Sequence, residues 1–141
     1  MHTAKLELSV NSSPEKTWAL IGPFASISQW HPEVTSSEES QNDKGQTLRT
    51  ITYKNGQQVI ERLVSHSAAT RSYAYTIEKG KLPVSEFRGE VQVVGNGDQS
   101  RIQWTATFHV LDGIPVDRAT SIVDGILQSA APGLIAKLGS A

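Results

Sequence analysis

Apolar and polar residues alternate from the start of the chain. Leu6, Leu8 and Val10 fall on one side of an extended segment, Lys5, Glu7 and Ser9 on the other. That period of two is what a half-buried strand requires. At Asn11-Ser12-Ser13-Pro14-Glu15 the pattern becomes that of a helix start. Two caps compete there: Ser13 with Pro14 at the first helical position, or Ser12 with Glu15 closing a capping box. The helix runs through Trp18 and Leu20 and stops at Gly22-Pro23, because proline cannot continue it. A second short helical piece is expected over Ala25 to Gln29, ended by Pro32, which favours extended backbone at His31.

From Glu33 to Val110 the chain reads as strands. Turn residues at Asn42 to Gly45, Asn55-Gly56, Ala68 to Thr70, Lys79 to Lys81 and Gly95 to Asp98 separate runs rich in Val, Ile, Thr and Tyr. Six strands joined as antiparallel hairpins, plus the N-terminal one, make seven. Thr35 to Ser40 is polar on both faces, which suits an edge strand. The last segment changes period. Ala119, Ile122, Val123, Ile126, Leu127, Ala130, Ala131, Leu134, Ile135 and Leu138 follow the i, i+3, i+4, i+7 rule of an amphipathic helix. Pro132-Gly133 is expected to kink it, and Ile122, Ile126 and Ala130 or their neighbours to face inward. One long helix and one long sheet must bury their apolar faces against each other. A strongly bent sheet gripping a helix leaves space between the two, and the small residues of the helix stripe add to it.

Length and composition narrow the class. The 141 residues suit one domain, 1–141, large enough to fold without a disulfide or metal, and there is no cysteine. The formal net charge is −1 with acids and bases interspersed, so no basic patch points to nucleic acid. No apolar run approaches a membrane span, and the first residues resemble neither a signal nor a transit peptide. The expectation is a cytoplasmic protein, monomer or homodimer, with no membrane partner.

Certain residues, in this order, resemble the START/Bet v 1-like superfamily and, within it, the bacterial polyketide cyclase/dehydrase-like branch. They are Ser13-Pro14-Glu15-Lys16-Thr17-Trp18, Phe24 through Trp30-His31-Pro32, Arg49 after Gly45, and Glu61-Arg62-Leu63. Tyr73 to Tyr75, Leu82 to Phe87, Trp104 and Gly133-Leu134 complete the set, so the resemblance spans essentially the whole chain. It implies an α+β helix-grip fold: a seven-stranded curved antiparallel sheet wrapped around a long C-terminal helix, with two short helices after the first strand. It also implies an internal cavity for a small, largely apolar or aromatic molecule. Members of such families include lipid and hormone binders and aromatic-ring cyclases, so the fold leaves activity open.

The hairpin at Asn55-Gly56 is the most informative place for chemistry. A two-residue turn would put Thr50 opposite Glu61. A three-residue Lys54-Asn55-Gly56 loop, with Gly56 in the left-handed bulge position, would put Arg49 there instead. The second reading is preferred. It sets Arg49, Ile51 and Tyr53 against Val59, Glu61 and Leu63 on one surface, with an Arg-Glu pair among apolar neighbours. An ion pair on the outer face of the sheet is the plainer alternative. His31, in Trp30-His31-Pro32, lies at the mouth of the expected pocket and can donate, accept or titrate near neutrality. His66 and His109 fall on strand positions that look outward. Trp104, Ala106 and Phe108 share a strand face, as do Phe87, Gly89, Val91 and Val93, and Tyr73, Tyr75 and Ile77. These stripes form either pocket walls or a solid core.

The expected ligand-binding set is Trp30, His31, Arg49, Ile51, Glu61, Leu63, Tyr75, Phe87, Trp104, Phe108, Ile122 and Ile126. The candidates for catalysis are Glu61, His31 and Arg49. No His-Glu-x-x-His helix, Gly-x-Ser-x-Gly elbow or phosphate loop occurs, so neither a metal nor a cofactor is expected. Three functions follow: a binding protein for a small apolar ligand, a cofactor-free cyclase, dehydratase or lyase, or, behind these, a stress or interaction protein with a filled interior. In the enzyme reading, Glu61 or His31 would act as general acid/base and Arg49 would polarise a carbonyl or enolate.

Overall fold

A computed structural model describes residues 1–141. The first strand, β1 (His2–Val10), buries Ala4, Leu6 and Val10, as the alternation requires. Helix α1 (Pro14–Ile21) follows. Ser13 is its cap: its Oγ accepts a hydrogen bond from the Lys16 amide at 3.2 Å, with Pro14 opening the helix. The second helical piece is a single 3₁₀ turn, Ser26–Gln29. Six strands come next: β2 (Val34–Gln41), β3 (Thr47–Tyr53), β4 (Gln58–Ser67), β5 (Ser72–Lys79), β6 (Val84–Asn96) and β7 (Gln99–Val110). All pair antiparallel in one sheet of order β1-β7-β6-β5-β4-β3-β2. The chain crosses from one sheet edge to the other through α1 and the 3₁₀ turn, and polar β2 is an edge strand. Irregular register in β2, β4 and β6 bends the sheet around its inner face, which is what bulges do.

One bulge corrects the reading of His66. The register slips at Val64, between the pairs Leu63↔Tyr75 and Ser65↔Ala74, so His66 pairs with Tyr73 on the inner side of the sheet. There its ring stacks on Tyr73 at 6.2 Å and 11°, and its Nε2–H donates to the Gly22 carbonyl at the end of α1, 2.8 Å away. His109 does look outward, toward Glu86.

The C-terminal helix is two pieces, α2 (Val116–Gln128) and α3 (Ala131–Leu138). The expected kink is a full break at Ser129-Ala130. Pro132 has no N–H to give the Gln128 carbonyl and its ring would collide with that carbonyl, so the chain restarts with Pro132 in the first turn of α3. The inward row is Ala119, Val123, Leu127 and Ala130, all buried. Ile122 and Ile126, expected inside, are each 37 % exposed. Each lies one residue, and so about 100° of helical turn, away from that row. Small Ala119 and Ala130 let α2 come close to the sheet over β1 and β7, which leaves the inner face of β3, β4 and β5 less covered. No helix is long and apolar enough to cross a membrane.

Candidate ligand site

The β3–β4 hairpin builds the site. Tyr53 N–H bonds the Gln57 carbonyl, Gly56 N–H bonds the Tyr53 carbonyl, and Gly56 holds φ +85°. This is the three-residue loop with its glycine bulge. Thr52 therefore pairs with Gln58 and Arg49 with Glu61, on the inner face.

Arg49 is 1 % exposed. Its Nε and Nη2 both reach Glu61 Oε1, at 2.8 and 2.7 Å. Its Nη1 donates to the Phe24 carbonyl at 2.7 Å and to Tyr73 OH at 3.4 Å. The guanidinium carbon lies 4.3 Å from the Phe24 ring centre and 5.0 Å from that of Tyr75. Burial alone would favour loss of its charge. The Glu61 carboxylate and the two tyrosines outweigh that, and the net direction is upward, so Arg49 stays a cation. Each of the three guanidinium nitrogens thus has a partner.

Glu61 is used differently. Arg49 takes only Oε1, and Oε2 accepts no hydrogen bond from the protein. Glu61 lines a cavity of about 220 Å³ between the β3–β4 hairpin, the segment from β5 to β6, and the flank of α2. Tyr53 and Val59 of the hairpin, Tyr75 and Ile77 of β5, and Leu82 and Phe87 form its walls, with Ile126 of α2 above. Ser129, Asn55, Gln57 and Lys81 complete the rim. Glu86 adopts φ +51° within the β6 bulge, and Phe87 beside it is buried on the cavity side. Gly89 lets Tyr75 lie flat: a Cβ there would meet the Tyr75 ring at 2.3 Å. The Tyr75 hydroxyl accepts from Trp104 Nε1–H at 3.0 Å. Burial, then the Glu61 charge, hold the phenol of Tyr75 well above the usual range, and the same causes in the same order push Tyr53 up to about 12. Both phenols are therefore neutral donors around a carboxylate.

His31 sits behind this wall. Its Nδ1 accepts from the Glu33 amide N–H at 3.1 Å, which leaves the proton on Nε2. Nε2–H then donates to Ser129 Oγ at 3.2 Å, and Ser129 Oγ donates to the Ile126 carbonyl at 2.6 Å. Burial pushes the imidazole below its ordinary value, against the pull of Glu33. Both ring nitrogens are engaged, so His31 braces the break between α2 and α3 with a neutral ring.

Of the residues expected to bind, Glu61, Tyr75, Phe87 and Ile126 line the cavity. Arg49 stands one side chain behind Glu61, and His31 one side chain behind Ser129. Trp30, Ile51, Trp104 and Phe108 lie in the packed interior, where Trp30 and Trp104 meet edge to face at 6.2 Å. Leu63 packs half-buried against that core, and Ile122 lies on the exposed flank of α2. Tyr53, Val59, Ile77, Leu82, Ser129, Asn55, Gln57 and Lys81 line the cavity as well, outside the expected binding set. For Tyr53, Val59 and Ile77 the signal existed, since alternation places them on the same faces as Arg49, Glu61 and Tyr75.

Comparison with known proteins agrees with this architecture. Residues 1–139 match the family described as polyketide cyclase / dehydrase and lipid transport. No curated protein matches the sequence. Among solved structures, the protein XoxI from Bacillus cereus is 26 % identical with a TM-score of 0.86, covering 98 % of this chain and 96 % of its own. An uncharacterized protein from Bacillus thuringiensis is 26 % identical with a TM-score of 0.84, covering 94 % and 96 %. A START superfamily protein from Mycobacterium smegmatis shares the fold at 17 % identity, with a TM-score of 0.76 and coverage of 98 % and 97 %.

Proposed function

The chain belongs to the polyketide cyclase/dehydrase and lipid transport family, and from that premise we propose that it binds a small, largely apolar or aromatic molecule in the cavity beside Glu61. The observation that carries this reading is the division of labour within one carboxylate. Oε1 is held by Arg49, while Oε2 is left without a protein partner on a residue that lines an apolar-walled space. Oε2 is the free acceptor of a charged group that faces the cavity, and hydrogen bonds to charged groups are the stronger kind. A ligand hydroxyl or N–H can take that position while the ligand body covers Tyr75, Ile77, Leu82 and Phe87.

Isothermal titration with 2-naphthol and 2-methoxynaphthalene tests this. Both are expected to bind, with the naphthol about tenfold tighter, the effect of one hydrogen bond to a charged acceptor. Glu61→Gln should narrow that gap. Absence of binding by either compound contradicts the reading.

A second reading is a cofactor-free cyclase, dehydratase or lyase. It is favoured by Tyr53, a phenol kept protonated in the same cavity as a carboxylate. Glu61 would take a proton and Tyr53 donate one to a developing oxyanion, the pairing of roles that acid/base catalysis needs. His31, with both nitrogens engaged behind the wall, has no part in that step. With a compound that turns over, Glu61→Gln should abolish turnover and keep affinity, whereas a pure binder shows a change in affinity alone.

A further inference from the structure

The cavity continues outward past Asn55, Gln57, Val59 and Lys81 onto a shelf that adds Gln58 and Lys79. Neither lysine takes part in an ion pair, and no acidic residue lines the shelf. Glu78, next to Lys79 in sequence, is held by Arg62. The side-chain polar groups here are amides and ammoniums. Asn55 Oδ1 is already taken by the Gln57 amide N–H at 2.9 Å, which leaves the Asn55 NH₂ to donate outward. An apolar slot with a carboxylate inside thus opens directly onto a donor-rich, acid-free mouth.

We propose that the ligand is an amphipathic acid, with its apolar or aromatic body in the cavity and a carboxylate, sulfonate or phosphate group on the shelf at Lys79 and Lys81. This rests on the reading that the cavity binds an apolar molecule. The orientation follows from charge. An anion turned inward would meet the Glu61 carboxylate, whereas an anion at the mouth meets two unpaired cations. Both lysines are exposed, so their contribution is modest and screened by salt. They select and orient the ligand, and the buried body supplies most of the affinity.

The test compares 2-naphthoate with 2-naphthamide, a neutral compound of the same shape, by isothermal titration. The proteins are the wild type and the double variant Lys79→Gln/Lys81→Gln, with inorganic phosphate alone as a third titrant. The acid should bind the wild type about three- to tenfold tighter than the amide, and added salt should remove the advantage. In the double variant the acid should lose its advantage over the amide. Phosphate alone should bind far more weakly than the naphthoate. Equal affinities in the wild type overturn the proposal and leave the cavity reading standing. So does an acid preference that survives in the double variant, or phosphate that binds as tightly as the naphthoate. If neither aromatic compound binds, the cavity reading fails and this proposal falls with it.

Discussion

The inner face of the sheet has two halves that the sequence writes in the same alphabet. Under α2, where β1 and β7 run, Leu6, Ile102, Trp104, Ala106 and Phe108 meet Ala119, Val123 and Leu127, and the interior is solid. On the β3–β5 side, Tyr53, Val59, Tyr75 and Ile77 alternate inward just as regularly, yet a cavity lies over them. The difference lies in what faces each half. Ala119 on the inward row of α2, and Ala130 just beyond its end, bring the helix down onto β1 and β7. Ile126 points sideways over β3–β5 and only half closes the gap, and the helix break at Ser129 ends the cover. Arg49 and Glu61 mark the boundary, with the arginine embedded in the solid half and the carboxylate facing the open one. Alternation places a side chain on a face, and the opposing layer decides whether that face is core or cavity.

The same charge placed on each side of α2 should separate the two halves most strongly. Leu127→Asp places an unpaired carboxylate in the solid half and should unfold the domain, a loss beyond about 4 kcal/mol. Ile126→Asp, at the solvent-facing edge of the cavity, should cost about 1–2 kcal/mol and retain a cooperative melt. Urea denaturation of both variants measures the difference. Equal losses would mean that the two faces of the helix are not distinct.

The boundary pair comes next. Arg49→Met strands the Glu61 carboxylate and should cost about 3–5 kcal/mol. The double variant Arg49→Met/Glu61→Leu removes both charges and should cost less. About 1–2 kcal/mol remains, because the Phe24 carbonyl still loses its donor. A double variant weaker than the single one would contradict the placement of the pair at the dry edge of the core.

The smallest effect is a pH dependence from His31. Its folded value lies below the ordinary 6.5, so the unfolded chain binds the proton more readily. The stabilisation is complete above about 6.5 and is lost as pH falls from there through the depressed folded value. Protonation would put a hydrogen on Nδ1, against the Glu33 N–H that already points at it. In melting curves across this range, wild type should lose stability toward acid more steeply than His31→Gln. Parallel curves would mean that the His31 brace carries no titration.

The fold was legible because its signals are local. Strand alternation, turn residues and the helical period of the last segment set the seven strands and the closing helix. At Asn55-Gly56 two turns were compatible with the residues, and the preferred glycine-bulged loop, which sets Arg49 opposite Glu61, is the one formed. What stayed hidden depends on layers meeting. The apolar stripe of the C-terminal helix is broad enough that period alone cannot choose between Ile122–Ile126 and Val123–Leu127; contact with β1 and β7 chooses. The bulge at Val64 turns His66 inward, and no composition signal marks it. Trp104 and Phe108 belonged to stripes that could equally be wall or core, and the close approach of α2 makes them core. Leu82 and Ser129 lie in a turn and at a helix break, outside any periodic pattern.

A ligand in the open half should perturb the methyl groups that line it and leave those of the solid half alone. Methyl-labelled protein titrated with 2-naphthol, followed by ¹H–¹³C correlation spectra, reads both sets at once. The largest shifts should fall on Val59, Ile77, Leu82 and Ile126, with Val123, Leu127 and Leu134 nearly still. Shifts concentrated on that second group, or on none of these residues at saturation, would contradict a ligand site in the open half.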